Sequence, residues 1–123
     1  MKKHIKDSER FSIIQPELDY CFVCRKRGIK VYKHEVFGGA NRQNSKDYGM
    51  VVGLCFLHHD RNSPISVHSL PMQGNDLEIK AKAQAIFERK YSHEKFMEVF
   101  RKDYKAIYEE TTGRVIRIKK ETC

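Results

Sequence analysis

Over residues 1–19 the only apolar run is FSII at 11–14, and the segment closes on QPELD, so it reads as a polar lead-in. Ile29, Val31 and Tyr32 then bring β-branched and aromatic side chains together and predict a strand. MVVGLC, 50–55, predicts a second short strand. CFLHHDRNS predicts a short helix that stops at Ser63, because Pro64 disfavours helical geometry at the residue before it. ISVHSLPMQGND is irregular, and Asn75 or Asp76 is placed to cap the next helix. In LEIKAKAQAIFERKY, residues Leu77, Ile79, Ala83, Ile86, Phe87 and Tyr91 recur near helical spacing. Ser92 is a second N-cap, with Lys95 where a capping box would place Glu. Beyond it, HEKFMEVFRKDYKAIY sets Phe96, Val99, Phe100, Tyr104 and Ile107 on one stripe, which predicts a second long helix. Both stripes read as packing faces. TTGRVIRIKK closes the chain as a last short strand or a basic tail.

The pattern divides the chain into a lead-in (1–19), a motif-rich core (20–70), a helical part (71–110) and a basic tail (111–123), with no internal repeat. A chain of 123 residues is the size of one domain, burying roughly two-thirds of its unfolded surface. That is a modest core, which a metal staple would reinforce. The formal net charge is +8 and the pI about 9.4, which points to an anionic partner, most often nucleic acid. MKKHIKDSERF is charged where a secretion signal needs an apolar run, and no stretch approaches the roughly 18 apolar residues of a membrane span. The expectation is therefore an intracellular, cytoplasmic protein with no membrane partner. Disulfides are rare there, so four cysteines call for a metal.

Cys21 and Cys24 form C-x2-C, and Cys55 and His58 form C-x2-H, with residues 25–54 between the pairs. Zinc takes four sulfur or nitrogen ligands in a tetrahedron, and two short pairs supply them from two knuckles. Positions three apart share a helix face, so Cys55 and His58 reach the same ion. The expected cofactor is a structural Zn2+. Cys123 is a bystander.

His59 follows directly, and on a helix its side chain points about 100° away from that of His58. It faces a neighbouring surface, where the strand carrying His34 would lie if the two strands form a hairpin under this helix. Glu35 adds a carboxylate beside His34, and Asn41, Asn44 and Asn62 are nearby polar residues. Imidazole both binds divalent metals and acts as a base near neutral pH. Gly38 and Gly39 let the backbone bend and approach a bulky substrate.

Taken together, C-x2-C … HEVFGGANR … YGMVVGLC-x2-HH resembles the HNH endonucleases of the ββα-metal fold in their zinc-bearing form, especially small phage-encoded members. The resemblance covers about residues 20–70. It implies an α+β fold: a zinc-stapled, treble-clef-like ββα-metal core followed by two C-terminal helices. It further implies hydrolysis of DNA phosphodiester bonds with one catalytic divalent ion such as Mg2+. Carried onto this chain, His34 is the general base, His59 a ligand of that ion and Asn41 the loop asparagine that steadies the base. Aligned strictly on the FGG, His34 would instead be a ligand and Glu35 would take the base position. The imidazole reference pKa near 6.5 suits proton abstraction at neutral pH better than a carboxylate near 4.3, which favours His34 as base and Glu35 as ligand or helper.

His68 lies past Pro64 and reads either as a phosphate contact or third metal ligand, or as an ordinary loop histidine; His4 and His93 read as surface residues. Arg25, Lys26, Arg27, Lys30 and Lys33 flank the first knuckle and strand, Arg42, Lys46 and Arg61 flank the proposed cleft, and Arg114, Arg117, Lys119 and Lys120 form a second cluster. Such cations bind phosphate without reading sequence. A zinc-stapled DNA-binding module without catalysis is the alternative reading.

Overall fold

β-branched residues surround both strands, which pair antiparallel: β1 (Tyr32–Glu35) against β2 (Val51–Leu54), with Tyr32 opposite Leu54 and His34 opposite Val52. Residues 4–117 are described by this computed structural model, and among them the architecture is mixed α+β, two strands and five helices. The strand connection carries a 3-10 turn (Gly39–Asn41) and a short helix, α1 (Arg42–Asp47), which the sequence pattern did not predict. α1 has no apolar stripe. Ser45 fixes it to the strand end instead, accepting from Phe37 N (3.0 Å) and donating to Phe37 O (2.7 Å).

The lead-in is part of the fold. Gln15 is fully buried; its amide donates to Tyr20 O (2.7 Å) and accepts from Gly53 N (2.9 Å). Phe22 N also donates to Gly53 O at 2.8 Å, so the first knuckle lies directly on β2. A side chain at Gly53 would meet Val31 Cγ1 at 2.5 Å and Tyr20 O at 2.8 Å, so only glycine admits this approach.

Cys55 is the N-cap of the one-turn helix α2 (Phe56–His59), which ends at Asp60, well before Pro64. α3 (Gly74–Lys90) starts from Gln73 rather than from Asn75 or Asp76, and the Asp76 carboxylate accepts from Met72 N at 2.6 Å instead. Ser92 caps α4 (His93–Phe100) as expected, accepting from Lys95 N at 3.0 Å. The stripe through Ile107 is not one helix. Arg101 turns left-handed at φ 70° and Asp103 caps a new helix, α5 (Tyr104–Thr112), by accepting from Ala106 N at 3.1 Å. The C-terminal part therefore holds three helices where two were expected. Its stripes do pack: Phe37 from the core lies against Phe100 (4.5 Å between ring centroids), Tyr104 (4.9 Å) and Phe96 (5.5 Å). Each such buried ring contributes about 1.5–3 kcal/mol. The tail over 114–117 is irregular, and Lys119, Lys120 and Cys123 lie outside the described residues. Among the described residues no helix is long and apolar enough to cross a membrane.

Candidate metal centres

Cys21, Cys24, Cys55 and His58 come together with their ligand atoms all within 4.8 Å of one another. Cys24 Sγ lies 3.8 Å from Cys55 Sγ, Cys21 Sγ 3.5 Å from His58 Nδ1, and Cys55 Sγ 3.2 Å from the same nitrogen. A zinc tetrahedron with bonds of about 2.3 Å to sulfur and 2.0–2.1 Å to nitrogen has edges of about 3.8 Å (S–S) and 3.5 Å (S–N). The thiols are free and unbridged. Burial opposes charging of Cys21, yet the backbone N–H groups of Cys24, Cys55 and Val23 aim at its sulfur and pull its pKa down to about 6. Burial, with Cys21 and Cys24 beside it, pushes the Cys55 thiol up. The donor set and its spacing thus fit a metal ion such as zinc.

The second group is His34, His59 and His68, again within 4.8 Å of one another. β1 carries His34, whose ring is buried at the floor of a 320 Å³ cavity. α2 presents His59 one residue past His58, and its ring stacks on Tyr32 of β1 (5.3 Å, interplanar 7°). His68 arrives from the loop after α2. That loop folds back because Val67 N donates to His58 O (2.9 Å) and Ser63 Oγ donates to Leu57 O (2.6 Å). The Nε2 atoms of His59 and His68 are 3.2 Å apart, close enough to share a proton. Ligand nitrogens about 2.1 Å from one ion lie about 3.0 Å apart in octahedral and 3.4 Å in tetrahedral geometry, so this spacing also suits a divalent metal. Burial first, and then the neighbouring His68, His59 and Lys80, drive the His34 pKa down to about 3. Burial and His68 also lower that of His59. At neutral pH both rings offer lone pairs.

Glu35 and Asn41 have other partners. The Glu35 carboxylate, on the cavity rim, accepts from Arg10 at 3.2 Å and pairs with Arg42 at 3.3 Å. Asn41 donates to Phe100 O (3.2 Å), and Asn44 to Val99 O (3.2 Å) and Asn41 Oδ1 (3.2 Å). These amides cap carbonyls at the end of α4, which the helix itself leaves unpaired. Asn62 is exposed and forms a turn with Asp60. Gly38 is in ordinary extended backbone, whereas Gly39, at φ +58°, is the left-handed residue that turns the chain along the cavity rim.

Some expected phosphate contacts are engaged elsewhere. Lys46 is buried with its Nζ on Asp7 (2.8 Å), and Arg27 pairs with Asp19 (3.2 Å) and covers the Tyr20 ring (4.4 Å). Arg42 lines the histidine cavity while also pairing with Asp7 (3.2 Å). Lys80 of α3, which no motif singled out, lines the same cavity and pairs with buried Asp76 at 2.7 Å. Its helical stripe hid it, because Lys80 falls among residues that otherwise read as an amphipathic surface. His4 and His93 are exposed as expected, on Asp47 (2.7 Å) and Glu88 (2.6 Å).

No protein-family model matches the chain, and searches of curated proteins and of solved structures return no match either.

Proposed function

We propose that this protein is a metal-dependent endonuclease of the HNH type, built on a ββα-metal core, that hydrolyses DNA phosphodiester bonds. The observation carrying the reading is the convergence of His34, His59 and His68 beside a separate Cys3His cluster. In this reading Cys21, Cys24, Cys55 and His58 would hold a structural Zn2+, and His34, His59 and His68 would hold a catalytic divalent transition-metal ion such as Mn2+ or Ni2+, which imidazole suits better than Mg2+. That ion, when bound, neutralises charge on the phosphate and the leaving oxygen and acidifies a water molecule.

The chain's own residues do the rest. Arg42 and Lys80 face the cavity with positive charge and bind the non-bridging phosphate oxygens. Glu35 holds Arg42 in place, and Asp76 holds Lys80. Gly39 keeps the rim low enough for a nucleic-acid backbone to enter. His34 serves here as a ligand, because its ring is buried and its ring nitrogen lies within 4.8 Å of those of His59 and His68. The engaged Glu35 also favours a second reading, a zinc-stapled DNA-binding module that keeps the fold without cutting.

Incubating the purified protein with supercoiled plasmid and Mg2+, Mn2+ or Ni2+ tests the proposal. Cutting should require the added metal and be lost in His59→Ala with the zinc retained. A parent protein that binds the plasmid but leaves it intact with every metal would establish the non-cutting reading.

A further inference from the structure

A second, larger cavity lies away from the histidines. A groove of 780 Å³ runs between the first knuckle and α3, against 320 Å³ for the histidine cavity, and the two share no lining residue. α3 serves both. It turns Asp76 and Lys80 toward the histidines, and Lys82, Arg89 and Lys90 into the groove. The knuckle contributes Tyr20, Phe22 and Arg25 to the opposite wall.

We propose that this groove binds single-stranded nucleic acid, with its cations on successive phosphates and its ring-bearing wall against unpaired bases. The sign of the ligand follows from the lining, which among the described residues holds five Arg or Lys side chains and no carboxylate. Lys82 pairs along its own helix with Glu78 at 3.1 Å. Arg25 is held by rings instead: its guanidinium lies 5.0 Å from the Phe22 centroid and donates to Tyr20 Oη at 3.5 Å. A guanidinium plane on an aromatic face is a stacking platform for a base, a feature that an acidic peptide would leave unused. Lys82 and Arg89 are about 10 Å apart along the helix axis, long enough to span more than one phosphate of a strand. A duplex keeps its bases stacked inside and would meet only the cations, so the rings select an unpaired strand.

The proposal rests on the nucleic-acid part of the reading above and not on cleavage. Fluorescence anisotropy of a labelled oligothymidylate, with no divalent metal added, measures it directly. The parent should bind in a salt-dependent way, and a Lys82→Glu/Lys90→Glu variant with full zinc content and an unchanged melting curve should bind at least about tenfold more weakly. If the double variant loses zinc, Lys90→Glu alone, at an exposed position, gives the same reading. Binding equal to the parent in a folded variant would overturn the proposal. So would a duplex that competes as well as the single strand, or polyglutamate that displaces it equally, which would make the groove a site for acidic protein. Intact groove binding in a protein that cuts no plasmid would remove the cleavage reading alone.

Discussion

His34→Ala distinguishes a metal ligand from a proton acceptor. The ring is 8% exposed, and its centroid lies 5.6 Å from that of His59 and 5.2 Å from that of His68. Structural zinc sites bind with about 10–16 kcal/mol over four ligands, so one ligand carries about 2.5–4 kcal/mol. At 1.4 kcal/mol per decade, losing one ligand weakens binding by about a hundredfold to a thousandfold. Loss of the buried ring itself costs roughly 0.5–3 kcal/mol of stability, which the Cys3His cluster and the aromatic core should withstand. The assay is Mn2+ titration of zinc-loaded protein, followed by electron paramagnetic resonance, beside plasmid cutting over a range of Mn2+. The expected result is weaker Mn2+ uptake and cutting that partly returns at high Mn2+. A general base behaves otherwise: its loss lowers the rate by about 10²–10⁴ at every metal concentration and leaves affinity unchanged. His34→Ala that binds Mn2+ as tightly as the parent would refute the ligand assignment.

Four further outcomes follow from the contacts. Cys24→Ser should bind less zinc and lose about 2.5–4 kcal/mol in urea unfolding, and a variant as stable as the parent without zinc would remove the staple. Gln15→Leu strands Tyr20 O and Gly53 N in the interior and should cost about 2–4 kcal/mol by the same measurement, since each unpaired buried group costs about 1–3 kcal/mol. Asn41→Ala loses its bond to Phe100 O and should cost about 1 kcal/mol in stability while plasmid cutting persists; loss of cutting at full stability would return Asn41 to the chemistry. In His93→Gln the pH profile of stability carries the information. Its hydrogen bond to Glu88 raises the His93 pKa, so the parent's advantage over the variant is full below the ordinary value of 6.5 and disappears as pH rises through the raised one. A difference that grows with pH would contradict that pairing.

The Cys3His cluster was legible because the spacing of a metal site is set by coordination geometry, which operates within single turns of chain. His34 and His59 were legible as a pair for a related reason: the Cys3His cluster sets where the helix sits over the strand. His68 was left open in sequence because a serine-rich loop brings it back, through Val67 N on His58 O, and no periodicity encodes that contact. Glu35 and Asn41 stood out because they flank the glycines, and what the sequence did not show is that Arg10, in the lead-in, and the end of α4 supply their partners. Those partners are distant in the chain and invisible to a local pattern. The break at Arg101 was hidden by a stripe that continues across it, since Phe100 and Tyr104 pack on the same ring of Phe37 from two different helices. Asp103 was the available signal, an N-cap residue just ahead of a fresh apolar position.

A one-turn helix has no stability of its own, because nucleation costs more than one turn returns. α2 spans only Phe56–His59, and two of its side chains, Phe56 and Leu57, face solvent. Its order must therefore come from its ends: Cys55 as N-cap and member of the Cys3His cluster, His58 in the same cluster, and the Val67 bond that closes the following loop. The residue after His58 then has little choice of direction. About 100° further round, its ring meets the face of Tyr32 and the edges of His34 and His68. On this argument the Cys3His cluster does more than staple a small core. It fixes the angle of the only turn that can present His59, so the geometry of the second cluster is inherited from the first.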